Sequence, residues 1–128
     1  VPATDLDAER VRDADRFATS GVFRSDRMKV VCGYFEPGQF IPVHAPDSDV
    51  AIVVQSGSGV VREGETDRPV APGDLVVVEA GTARGVKASD GERLEAVLVT
   101  APPPTDAEHE PVREGIRRGT FDPREGSE

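Results

Sequence analysis

Few side chains here carry chemistry near neutral pH: two histidines, His44 and His109, and one cysteine, Cys32. His44 opens the run H-A-P-D-S-D, which places Asp47 and Asp49 close behind it. One imidazole with two carboxylates is a weak site for a divalent transition metal, because several donors must converge on the ion. An Asp-Ser-Asp run more readily forms a solvated turn whose side chains bond backbone amides, and that reading is preferred. His44 then has two roles open to it: a pocket acid, base or hydrogen-bond donor, or a structural hydrogen bond. His109 lies in the C-terminal segment and reaches a central site only if that segment folds back. Cys32 would need a base to act as a nucleophile, and His44 is the one candidate in the central region. Cys32 reads best as a small strand residue sharing a face with Tyr34. No residue is assigned a catalytic role.

The spacing around His44 is more specific than its neighbours. Gly38, five residues, His44, one residue, Pro46, three residues, Val50, six residues, Gly57 forms one frame. A second follows: Gly73, five residues, Glu79, Ala80, Gly81, two residues, Arg84, three residues, Ala88. Glycines at such corners supply the positive φ that tight turns between strands require.

Both frames, in order and separation, resemble the two motifs of the cupins, G-x5-H-x-H-x3,4-E-x6-G and G-x5-P-x-G-x2-H-x3-N. The resemblance spans residues 22–101 and implies an all-β fold, the cupin double-stranded β-helix or jelly-roll barrel, with short N- and C-terminal extensions. In metal-binding cupins, two histidines and a glutamate of the first motif and the histidine of the second hold the ion. Only the first position is filled here, by His44; the others are Pro46, Val50 and Arg84. Proline and valine cannot ligate, and an arginine stays protonated and repels a cation. The resemblance therefore implies the fold without the family's metal. It also turns His44 and Arg84 inward, where together they favour an anion. The alternative is that Arg84 points outward and pairs with Glu79 or Asp90. Ile52 and Val54 lie two and four residues beyond Val50, so alternation puts them on the same, pocket-lining face. An apolar interior with one His and one Arg suits a small-molecule site, and equally a filled barrel core.

These residues need elements to position them. Residues 1–21 read as an extension holding a short helix, with Thr4 as its cap and Asp7 three residues later. Its stripe of Leu6, Val11 and Ala14 is thin, so the segment packs at an edge or frays. From residue 22 to 101, short apolar runs alternate with turn signals, the pattern of a sandwich or barrel. Strands are predicted at 28–35, 40–44, 50–55, 60–65, 75–80, 81–89 and 92–100, with 75–80 buried. Pro37-Gly38 suits a type II turn, and Pro42 places its strand at an edge or bulge. Residues 102–128 form a Pro-rich connector and tail. Pro111 and Gly115 limit helix there to one or two turns, Ile116 and Phe121 are the anchors, and the final PREGSE is disordered.

Composition narrows the function. A chain of 128 residues with 37% hydrophobic residues fits one domain, and a net charge of −9 without a basic run argues against nucleic acid. Lysine occurs only at 29 and 87, and this acidic, Arg-biased balance resembles salt-adapted surfaces. A single cysteine and the lack of a long apolar run predict a cytoplasmic protein with no membrane partner. The expected function is binding of a small, anionic molecule near His44 and Arg84, metal-free or weakly metal-binding, with no cofactor. The alternatives are an isomerase, lyase or oxygenase using His44 with a non-standard metal set such as His44, Asp47 and Asp49, and a structural protein with a filled barrel. A homodimer is expected, with the N-terminal segment and the tail around Ile116 and Phe121 dressing a neighbour's sheet edge.

Overall fold

In the computed structural model, which describes residues 3–123, nine strands form two antiparallel sheets. The strands are β1 (Ala18–Arg24), β2 (Lys29–Phe35), β3 (Phe40–His44), β4 (Asp49–Gly57), β5 (Gly59–Glu63), β6 (Thr66–Val70), β7 (Leu75–Val78), β8 (Arg84–Ala88) and β9 (Leu94–Ala101). One sheet has the order β1-β2-β9-β4-β7 and the other β3-β8-β5-β6. This is the jelly-roll barrel that the sequence implies. The first strand begins at Ala18, earlier than the boundary drawn at residue 22.

Strand alternation builds the core. Val50, Ile52 and Val54 of β4, Val76 and Val78 of β7, Leu94, Ala96 and Leu98 of β9, and Val61 and Val86 of the facing sheet are all buried. Register fixes which residues share a row: Ile52 pairs with both Leu98 and Val76. The prediction that β7 is buried holds for one face only. Leu75 is 62% and Val77 55% exposed, because β7 pairs with β4 alone and its outer face is uncovered.

Glycines set the corners. Gly38, Gly57, Gly73 and Gly81, the motif glycines, all have positive φ, and Gln39 N–H donates to Glu36 O (3.0 Å) across the Pro37-Gly38 turn. Pro42 sits on β3, an edge strand whose register with β8 slips between Ile41 and His44.

Both extensions are pinned to the barrel. The N-terminal helix, α1 (Leu6–Glu9), is capped by Asp5 rather than Thr4: the Asp5 carboxylate accepts from Ala8 N–H at 2.8 Å. Thr4 instead donates its hydroxyl to Glu9. The segment lies across the outer face of β2 and β9. Tyr34 Oη donates to Leu6 O (2.7 Å), and Arg10 makes a two-point bond to buried Glu95 (2.7 and 2.9 Å), which Arg12 also meets. These arginines hold the Glu95 carboxyl below its ordinary range.

At the other end a 3₁₀ turn (Ala107–His109) leads into α2 (Glu110–Arg118), closed by Gly119 in the left-handed region. Gly115 packs on Pro42, where a Cβ would come within 2.5 Å of the ring. Phe121 meets Phe40 edge-on at 5.8 Å, and Ile116 packs against the core. The two expected dimer anchors therefore bind the tail to its own barrel. Of the PREGSE segment, residues 124–128 lie outside the described residues.

The corner at Gly57 is the tightest: an added Cβ would sit 1.7 Å from Arg93 O, at φ +80°. Gly57→Ala is expected to cost more than about 3 kcal/mol in urea unfolding, combining strain with a backbone collision. Gly73→Ala, where a Cβ meets nothing within 4 Å, should cost only the left-handed penalty of about 1–2 kcal/mol.

Candidate ligand-binding cavity

Between the sheets lies a cavity of about 390 Å³. Its apolar walls come from Val31, Ile41, Val50, Ile52, Leu98 and Val112. Its charged lining is of one sign: Arg16, Lys29, Arg84 and Arg113, together with His44 and His109. Among the described residues no Asp or Glu lines it, in a chain with 24 acidic and 15 basic side chains.

His44 and Arg84 are cross-strand partners on β3 and β8, so both turn to the same face. His44 Nδ1 lies 2.8 Å from Pro42 O and so donates to it. Burial pushes the His44 imidazole below its ordinary value; the nearby charge of Arg84 and His109 adds to this, and the Pro42 carbonyl opposes it. His109 is shifted down likewise, by burial and then by Lys29 and Arg113. Both rings are thus neutral at pH 7.

Arg84 is only 5% exposed and has a structural duty. Its Nη1 donates to Ser48 O (2.7 Å), Nη2 to Glu79 O (2.7 Å) and Nε to Thr82 O (3.1 Å). It points inward, and it meets the backbone carbonyl of Glu79 rather than that side chain or Asp90. Three of its five N–H groups are used this way, leaving part of the fork for the cavity.

The remaining predicted residues divide. Ile52 lines the cavity, whereas Val54, equally buried, packs in the core away from it. The set His44, Asp47, Asp49 is not brought together. Asp49 turns its carboxylate to Ala80 N–H (2.8 Å), and Asp47 is exposed with its N–H bonded to Glu108. Among the described residues no three His, Cys, Asp or Glu side chains converge on one point. Two imidazoles beside a buried guanidinium, with no carboxylate among the described lining residues, do not fit the metal of metal-binding cupins. Cys32 and Tyr34 alternate with the inward Val31, Gly33 and Phe35 and lie under the N-terminal segment, away from His44.

Neither motif marks the other four charged or titratable groups of the lining: Arg16, Lys29, Arg113 and His109. His109 does reach the cavity, because Glu108 fastens the 3₁₀ turn to the barrel mouth by accepting from Asp47 N–H (2.6 Å) and Thr105 N–H (2.9 Å). Lys29 had a readable signal: counting back by twos from Phe35 through Gly33 and Val31 arrives at an inward Lys29.

Since three carbonyls depend on one side chain, Arg84→Met should lower stability by about 3 kcal/mol in chemical denaturation. Arg84→Lys should recover little of it, because an ammonium cannot reproduce the planar fork.

Comparison with known proteins agrees with this architecture. The family model described as Cupin domain matches residues 33–100. The TT1209 structure from Thermus thermophilus is 31% identical, with a TM-score of 0.77, covering 81% of this chain and all of that one. An RmlC-like cupin from Desulfovibrio desulfuricans is 33% identical, with a TM-score of 0.64, covering 74% and 92%. A Klebsiella pneumoniae protein with a double-stranded β-helix domain, 24% identical at a TM-score of 0.72 over 78% and 89%, shares the fold. No curated protein matches the chain. With motif glycines, barrel topology and family match in agreement, the chain belongs to the cupin family, its residues 33–100 forming one small cupin domain.

Proposed function

We propose that this cupin binds a small organic anion with an apolar body. The observation that carries the reading is the one-signed lining of the cavity: four Lys or Arg side chains and two histidines, with no carboxylate among the described residues. An acidic protein that gathers cationic groups around an apolar hollow holds a positive potential there, and a ligand carboxylate or phosphate relieves it. The volume falls within the range of about 300–1,000 Å³ usual for small-molecule sites. That space speaks against the filled-barrel alternative. The metal-dependent enzyme alternative lacks a convergent donor set among the described residues.

Titration calorimetry with benzoate and benzamide tests the reading, since the two share a shape and differ in charge. Benzoate should bind, weaken as salt rises, and lose about tenfold or more in affinity in an Arg16→Gln/Arg113→Gln variant, a change of about 1.4 kcal/mol. Equal binding of the amide and the acid would sink the proposal.

Affinity should also depend on pH. Both imidazoles sit below the ordinary value of 6.5 in the free protein. A bound anion raises them, so binding takes up protons and tightens as pH falls through their bound-state values, until the ligand's own carboxylate protonates near about pH 4. A flat profile between about pH 7.5 and 5 would show that neither histidine faces the anion.

A further inference from the structure

Lys29 is one of two lysines in a chain of 15 basic residues. It begins β2 and pairs in register with Arg24 of β1 and Thr100 of β9, and Thr100 pairs in turn with Val50. Val50 occupies the frame position of the glutamate ligand in metal-binding cupins. The row Lys29–Thr100–Val50 therefore sets the Lys29 amine on the inner face, and the side chain lines the cavity. It is half-buried and forms no ion pair among the described residues. Its cross-strand neighbour Arg24 is cationic, and His109 lies near enough to feel its charge.

A lysine in that setting is unlike an ordinary surface lysine. Burial, and after it the Arg24 guanidinium, push its amine below the usual value. A larger share is then the neutral nucleophile at neutral pH. Desolvation and a neighbouring cation are the two ways in which lysines are activated toward carbonyl carbon. The same cavity offers what a small oxo acid needs at its other end: guanidinium and imidazole groups for the carboxylate.

We infer that Lys29 is a carbonyl-reactive site, forming an imine with a small 2-oxo acid or aldehyde acid held in the cationic cavity. The inference rests on the anion-binding reading and adds a covalent step to it. The neutral Lys29 Nζ donates its electron pair to the carbonyl carbon as the C=O π pair moves to oxygen. A proton passes from nitrogen to that oxygen, giving a carbinolamine. The remaining N–H proton passes to the hydroxyl, and the C–O bond breaks with loss of water as the nitrogen electron pair forms the C=N bond. No oxidant or reductant is consumed, and hydrolysis returns the amine and the oxo acid.

Pyruvate with sodium cyanoborohydride tests this, because hydride reduces an imine to a stable secondary amine. Peptide mass spectrometry should find Lys29 carrying the mass of pyruvic acid less one oxygen, at least about tenfold faster than Lys87. Lys87 is the internal reference, since it pairs with Val60 and Phe40 on the outer face of its sheet. Lys87→Arg should leave labelling intact, Lys29→Arg should abolish it while melting like the parent, and lactate, which has a hydroxyl in place of the ketone, should slow it. Equal labelling of the two lysines overturns the inference. So does calorimetric binding of lactate and pyruvate without trapping at Lys29, which leaves the anion-binding reading standing. Binding of neither acid also overturns the inference, and the benzoate titration then decides the anion-binding reading on its own.

Discussion

A guanidinium joins the two loops that meet at the mouth of the barrel. Ser48 stands at the entrance to β4, while Glu79 and Thr82 lie between β7 and β8; Arg84 donates to all three carbonyls at once. Gly81 N–H to Pro46 O (2.9 Å) and Ala80 N–H to the Asp49 carboxylate (2.8 Å) run alongside. In metal-binding cupins the same two motifs share an ion. Here a planar organic cation makes the cross-link, and carbonyl dipoles replace imidazole and carboxylate donors. Burying a cation is costly unless its N–H groups are satisfied. The loop geometry is the consequence: carbonyls must converge where the guanidinium sits.

That choice sets the sign of the cavity. Among the described residues Arg84 has no carboxylate in direct contact, and only the charge of Asp49 favours its ionised form. Arg113 is partly neutralised by Asp106 (3.3 Å) and Glu110 (3.0 Å), which lie on the solvent side of the tail. Burial first, and neighbouring cations after it, shift Lys29 and the two histidines toward their neutral forms. The free cavity is thus electrostatically unfinished. Negative charge is abundant elsewhere: Glu95, the most buried of the barrel's glutamates, is spent on Arg10 and Arg12 across the outer face.

The barrel was legible because corner glycines are a local requirement. Gly57 and its partners in the two frames need positive φ whatever the barrel contains, so their spacing survives changes of chemistry. Strand faces were legible wherever alternation was strict, as in β4. They misled at β7, where four apolar residues in a row do not say which face is covered. Arg84 could be placed inward from its frame, but its partners are backbone carbonyls, which no side-chain pattern encodes. Arg16, His109 and Arg113 come from segments outside both motifs, and only tertiary contacts such as Gly115 on Pro42 bring them to the mouth.

The pinned extensions carry a consequence for how relatives are compared. The family match spans residues 33–100. Of the six cationic or imidazole groups around the cavity, Arg16, Lys29, His109 and Arg113 fall outside that span. On the anion-binding reading proposed above, much of what selects a ligand stands outside the matched span, just before β1, at the start of β2 and on the tail. Two cupins can align closely from end to end of the domain and still admit different molecules. On that reading, exchanging those four residues alone would change the ligand preference while residues 33–100 stay as they are.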